Sequence, residues 1–236
     1  MAGFDPSFTN GGDRSVLYVG SFGKSDLGLP TISFDKAHIL REDASKANEP
    51  RNFQIARQVR EVCQAEGVLP ENLAVDATGA GDPFCDILSE LWSNRIYRVK
   101  FGEKPSQLPI SAVSPVKANE KFGNRVSELW WVGVEFLRSG QIRGISPDLA
   151  RELCARKYST MAGGKLIVEP KKDMKARMGK SPDLADAACL MLDLCRYRLG
   201  AYAGAKLAVS RGEGWIKTAK KMDVASYLDR QVLAST

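Results

Sequence analysis

The chain has 236 residues, 44% of them hydrophobic and 26% charged, with a net charge of +6 and a pI near 9.1. This composition supports one large domain with a buried core and excludes a disordered chain. The excess of Lys and Arg permits a polyanionic partner without requiring one.

The first strand is short and apolar and ends at Asp5, in MAGFDPSF, and Gly11 and Gly12 mark a turn. RSVLYVGSF (14–22) and LPTISFDKAHIL (29–40) read as the second and third strands, rich in β-branched and aromatic residues and bounded by Gly, Pro and Asp. Their close spacing predicts an antiparallel meander. GSFGKSD (20–26) contains Gly-Lys-Ser, but a phosphate-cradling loop needs glycine five residues before Gly23, where Tyr18 stands. The segment therefore reads as a loop between strands.

Residues 49–66 place Phe53, Ile55, Ala56, Val59, Val62 and Cys63 at helical spacing, closed by Gly67. LAVDA (73–77) reads as a buried strand, 82–93 as a helix with Pro83 in its first turn, and IYRVKF (96–101) as a strand. Residues 102–120 show no period and read as a loop. Two helices are expected over 122–140 and 146–158, the second capped by Ser146, then a strand at 165–170 and a long Ser-capped helix over 180–200. Residues 1–203 form one domain, and 204–236 a mixed, partly basic C-terminal extension. The order predicts an α/β mixed sheet with helices on both faces, matching a ribonuclease H-like fold.

No run is apolar enough to span a bilayer, and the N-terminus lacks the regions of a signal peptide, so a soluble, cytoplasmic protein is expected. The five cysteines, at 63, 85, 154, 189 and 195, include no Cys-x-x-Cys pair and read as small hydrophobes in a reducing compartment. A single histidine, His38, argues against His-rich metal sites and Ser-His-Asp hydrolysis.

AVDATGAGDPF (74–84) has two readings. It resembles the signature of ribokinase-type sugar kinases, yet it also reads as a strand end carrying Asp76, a tight glycine turn and a helix start. Only 75 residues precede Asp76, without a glycine-rich substrate motif, and the kinase reading leaves other carboxylates without a role. Asp5 and Asp76 each end an apolar strand, where a lone carboxylate is costly to bury. Asp183 and Asp186 lie one turn apart on one face of the long helix. Carboxylates from separate elements repel unless a cation joins them, and hard divalent cations take such oxygen ligands.

Four segments, GFDPSFTNGGDRS, LAVDATGAGD, NRVSELWW and VEPKKDMKARMGKSPDLADA, resemble the nuclease domain of the large terminase subunit of tailed bacteriophages, the motor that cuts and packages viral DNA. The resemblance runs from residue 1 to about 200. It implies a ribonuclease H-like fold, two Mg²⁺ or Mn²⁺ ions and endonucleolytic cleavage of double-stranded DNA concatemers with little sequence preference, in the host cytoplasm. It implies Asp5, Asp76 and Asp183 as catalytic metal ligands and Asp186 as a further ligand or supporting partner. The acid that many members carry just before the third ligand is Pro182 here, so the division of work between Asp183 and Asp186 stays open. In the intact motor the implied partners are an ATPase domain, a portal ring and a small terminase subunit. A resolvase or transposase of the same fold would use the same carboxylates.

Lys171, Lys172, Lys175, Arg177 and Lys180 directly precede the third carboxylate and are expected to meet DNA phosphates. Lys100, Lys104, Lys117, Lys121 and Arg125 form a second basic group, equally readable as solvated surface. Of the neighbouring Trp130 and Trp131, at least one is expected in the core.

Overall fold

The computed structural model describes residues 1–8, 13–46 and 48–204, so the expected extension over 204–236 lies almost wholly outside the described residues. β1 (Ala2–Asp5), β2 (Ser15–Lys24) and β3 (Pro30–Leu40) form the antiparallel meander, with an irregularity between Val19 and Gly20. The Gly-Lys-Ser run is not a loop: Gly23 and Lys24 end β2, and the hairpin turn begins at Ser25. α1 (Arg51–Ala65) leads to β4 (Leu73–Asp76), which pairs parallel with β1. α2 (Gly81–Leu91) then returns the chain to β5 (Tyr97–Val99), parallel to β4.

The stretch read as a loop over 102–120 instead holds β6 (Pro109–Ser111), β7 (Ser114–Lys117) and the one-turn helix α3 (Ala118–Lys121). These pieces are too short to show a period, and they close a small satellite core of Ile110, Ala118 and Phe122. α4 (Arg125–Arg138) follows, with the Asn124 side chain accepting from the Ser127 amide. β8 (Ile142–Arg143), two residues long and invisible to a periodicity argument, adds parallel to β3. The main sheet thus has six strands in the order β5-β4-β1-β2-β3-β8.

α5 (Pro147–Ala155) is capped by Ser146 as expected, but it stops before Tyr158, which starts β9 (Tyr158–Thr160). β10 (Leu166–Val168) is the strand expected near 165–170. It pairs with β9 in a ribbon apart from the main sheet, and Leu166 also bridges to Phe122. α6 (Lys171–Met178) replaces the Lys/Arg-rich loop, between Pro170 and the left-handed Gly179. Met174 is its one buried residue, so no apolar stripe announces it, although Pro before and Gly after are the proper boundary signals. α7 (Asp183–Leu199) is the long helix. Its N-cap position is Pro182, and Ser181 donates to Asp13 rather than capping it.

Strand alternation sorts the core into two layers. Phe4, Leu17 and Val75 face α1 and α2, packing with Ile55, Val59, Phe84 and Leu88. Val16, Tyr18 and Ala74 face α7, behind which α4 supplies Leu129, Val132 and Phe136. α7 is buried continuously from Asp183 to Arg196, as a helix enclosed between a sheet and other helices must be. Among the described residues no helix is long and apolar enough to cross a membrane.

The approach of α7 to the sheet depends on Gly3. A Cβ at that position would lie 2.1 Å from the carbonyl oxygen of Ala187 and 3.0 Å from the amide nitrogen of Met191, both backbone atoms of α7. Gly3→Ala is therefore expected to push α7 off β1 and lower stability by about 1–3 kcal/mol, the usual cost of overpacking a core. Urea denaturation checks this; an unchanged midpoint would contradict the close contact.

Candidate active site

β1 and β4 run parallel and adjacent, and their last paired rung is Phe4 with Val75. The next residues, Asp5 and Asp76, therefore stand side by side at the same end of the sheet. Alternation turns Phe4 and Val75 toward α1 and α2, so Asp5 and Asp76 turn toward α7. α7 begins at that end with Asp183 and Asp186, three residues apart and so on one face. Asp5, Asp183 and Asp186 are all at least 98% buried, and Asp76 is half-buried. The four carboxylates that the sequence singles out are thus brought together from three elements.

A lysine stands among them. Lys171, the first residue of α6, donates from Nζ to Asp5 Oδ2 at 2.9 Å and lies 3.3 Å from both Asp183 Oδ1 and Asp186 Oδ2. Burial opposes its charge, but Asp5, Asp186 and Asp183 outweigh that effect and raise its pKa. Lys175, one turn later on the same face, donates to Asp13 at 2.7 Å.

The remaining oxygens are held from outside the cluster. Asp186 Oδ1 accepts from Trp130 Nε1 at 3.2 Å and from Arg156 at 3.1 Å, while Arg156 also lies over the Trp130 ring. Asp183 Oδ2 accepts from the Arg14 amide at 3.0 Å. Asp76 Oδ1 accepts from the Thr78 amide at 2.9 Å and from its hydroxyl, and Thr78 Oγ1 accepts in turn from the Phe101 amide. Gly81 lets this turn close, since a Cβ there would lie 2.2 Å from the Asp76 carbonyl oxygen. AVDATGAGD is therefore a strand end, an Asx-type turn and a helix start.

Two fully buried oxygens of the cluster have no hydrogen bond among the described residues: Asp183 Oδ1 and Asp186 Oδ2, both directed at Lys171. Orphaned buried carboxylate oxygens suit a hard divalent cation. As the side chains stand, no three His, Cys, Asp or Glu groups among the described residues close on an ion-sized gap, and the Lys171 ammonium lies within 3.3 Å of three of the acids. A surface cavity of about 590 Å³, lined by residues such as Lys46, Phe53 and Arg57, shares no residue with this cluster.

The other predicted residues are distributed differently. Arg177 is tied to Glu169 by two hydrogen bonds of 3.0 and 2.6 Å. Lys172 and Lys180 are exposed and have no described partner. In the second basic group, Arg125 is not surface at all: it is buried and paired with Asp193 and Glu128, each at 2.6 Å. Lys100 is paired with Asp82. Trp130 is core and Trp131 packs on Phe122 and Tyr158. Sequence reasoning missed Arg14, Trp130 as a donor to Asp186, Glu152 and Arg156. Arg14 and Trp130 do lie inside two of the segments that carry the resemblance, but nothing in those segments marked them as partners of the acids.

Burial raises the Asp76 carboxyl to about 6, against the pull of the Thr78 hydrogen bonds and with a further push from Asp186. Burial likewise pushes Asp5 well above the carboxylate range despite Lys171. A folded-state pKa above the unfolded value means that the folded chain binds the proton more tightly. Stability is then greatest below the unfolded pKa, near 4, and falls as pH rises through about 6. Asp76→Asn keeps an acceptor for Thr78 and removes this cost. In EDTA at pH 7.5 it is expected to be more stable than wild type by on the order of 2 kcal/mol. Melting curves against pH check this, with the gain vanishing near pH 4.

No protein-family model and no curated protein sequence matches the chain. Its fold is similar to that of the nuclease domain of the large terminase subunit of bacterial virus Sf6, at 21% identity and a TM-score of 0.60, over 81% of this chain and 86% of that one. A lysine-to-alanine variant of that Sf6 domain with calcium is similar at 19% identity and a TM-score of 0.60. The same variant with manganese and beta-thujaplicinol is similar at 18% and 0.58, both over the same shares. At these identities the likeness is one of fold: the chain has the ribonuclease H-like fold of terminase large-subunit nuclease domains.

Proposed function

We propose that this chain is a divalent-metal-dependent endonuclease that cuts double-stranded DNA concatemers during viral genome packaging. The observation that carries the reading is the convergence of Asp5, Asp76, Asp183 and Asp186, from two parallel strands and a buried helix, at the one end of the sheet. The Sf6 domain solved with calcium and with manganese supports it by fold.

Asp5, Asp76 and Asp183 would hold Mg²⁺ or Mn²⁺, with Asp186 a fourth donor through Oδ2. When bound, two such ions supply a Lewis acid at the phosphodiester and lower the pKa of an attacking water. The protein's own part is positional. Trp130 and Arg156 fix Asp186 Oδ1 so that only Oδ2 faces the site. Arg14 does the same for Asp183, and Thr78 orients Asp76. Lys171 offsets part of the cluster's negative charge, and its side chain is 35% exposed, within reach of a phosphate in the site. No histidine or serine nucleophile is needed. In this reading the chain is the nuclease part of a motor whose other partners are an ATPase domain, a portal ring and a small terminase subunit, acting in the host cytoplasm.

Supercoiled plasmid with Mn²⁺ is expected to be nicked and linearised, to be protected by EDTA, and to be cut at least about 100-fold more slowly by Asp76→Ala or Asp183→Asn. Preference for a four-way junction over linear duplex would favour a resolvase instead, and no cutting with any divalent ion would overturn the reading.

Lys172 and Lys180, exposed and unpaired among the described residues, are the free cations nearest in sequence to the site. Reversing both to Glu is expected to weaken duplex binding and to flatten the slope of log affinity against log salt by about one per charge removed. Fluorescence anisotropy across a salt series measures it; an unchanged slope excludes them as phosphate contacts.

A further inference from the structure

Glu152 lies on α5, outside every sequence motif, yet it is 2% exposed and reaches the head of α7. Its Oε2 accepts from the Leu184 amide at 2.8 Å and from the Ala185 amide at 3.1 Å. These are N–H groups of the first turn of α7, which a helix cannot satisfy internally. The usual local solution is closed here. The N-cap residue is Pro182, which offers no side-chain acceptor, and the Ser181 hydroxyl is committed to Asp13. The cap therefore comes from another helix, 32 residues earlier in the chain.

The other oxygen of Glu152 is equally placed. Oε1 accepts from Arg14 at 2.7 Å, and the Arg14 backbone amide in turn donates to Asp183 Oδ2 at 3.0 Å. One carboxylate thus holds both the turn that carries Asp183 and Asp186 and the arginine that fixes the outer oxygen of Asp183. The inner oxygen, Asp183 Oδ1, is left turned to the cluster.

We propose that Glu152 is a positioning residue of the active site: by capping α7 from α5 and anchoring Arg14, it sets the aim of Asp183 and Asp186 at the bound cations. The inference rests on the nuclease reading above. Residues that orient metal ligands from behind typically change metal affinity by about 10- to 100-fold when lost, and a simple packing role would change only stability.

The test uses the full chain and Mn²⁺ as the probe. Free Mn²⁺ is counted by electron paramagnetic resonance for wild type, Glu152→Gln, Glu152→Met and Glu152→Ala, beside melting curves in EDTA and plasmid cleavage. Gln keeps an acceptor for the two amides, whereas Met keeps the volume and removes both acceptors. The expected result is an Mn²⁺ affinity about threefold or more weaker for Gln, which keeps the cap but loses the acceptor for Arg14, and about tenfold or more weaker for Met and Ala, which lose both. Faster amide hydrogen exchange at Leu184 and Ala185 should accompany the weakening. Wild-type Mn²⁺ affinity in a folded Met or Ala variant overturns the inference alone and leaves the nuclease reading standing. Failure of both to fold, with unchanged binding in Gln, makes Glu152 a structural anchor and also overturns it. A wild-type chain that neither binds Mn²⁺ nor cuts DNA overturns the parent reading, and this inference falls with it.

Discussion

Four carboxylates at one end of one sheet are the constraint around which this molecule is organised. Like charges so close together in a buried place repel, and desolvation adds to the cost. Burial raises the Asp5 and Asp76 carboxyls, which is the folded chain's record of that cost. Lys171 answers it with a single ammonium touching three of the four acids. Arg14 and Arg156 answer it from the sides. The helix N-terminus of α7 helps as well, since its amide dipoles favour negative charge.

α7 transmits that constraint to the rest of the fold. Its head carries the acids, and its middle fills the space between the sheet and α4. Farther along, Asp193 and Arg196 enter a buried ionic network with Arg125 and Glu128 of α4, and the Tyr97 hydroxyl of β5 donates to Asp193. Every charge in that network has an opposite partner, the condition under which buried ions are tolerable. Removing one member would strand another, so the network makes the placement of α7 specific. Gly3 makes the same placement close. A helix held this firmly at both ends can present carboxylates with little freedom, which is what ligands for a cation require.

The basic residues illustrate how charge in a sequence divides on folding. Within α6, helical geometry sends Lys171 and Lys175 inward to Asp5 and Asp13, while Lys172 stays in solvent. Arg177 is spent on Glu169 and the carbonyl of Ala155, fastening α6 to the ribbon before it. Arg125, grouped by sequence with surface lysines, belongs to the core. A run of cations is thus part counter-ion, part brace and part free surface.

The sequence by itself determined the meander, the strands carrying Asp5 and Asp76 at their ends, the long helix within 180–200 and the mixed sheet with helices on both faces. Each of these is written in local pattern: β-branched runs closed by Gly, Pro and Asp, or apolar spacing of three and four. It also singled out four acids: Asp5 and Asp76 because carboxylates after apolar strands stand out against their surroundings, Asp183 and Asp186 because they share one face at the head of an apolar helix. Short pieces escaped it. β6, β7 and β8 have two to four residues each, and α6 has no apolar face from which a period could be read. Only the tertiary structure decided what surrounds the acids. Glu152, Arg156 and Trp130 reach the site from helices or their ends, 30 to 56 residues away from their partners in the chain, and no local signal ties them to the acids. That Lys171 is a buried counter-ion, rather than one more basic residue of a loop, follows from α6 being a helix packed on the open end of the sheet, and long-range packing alone could settle it.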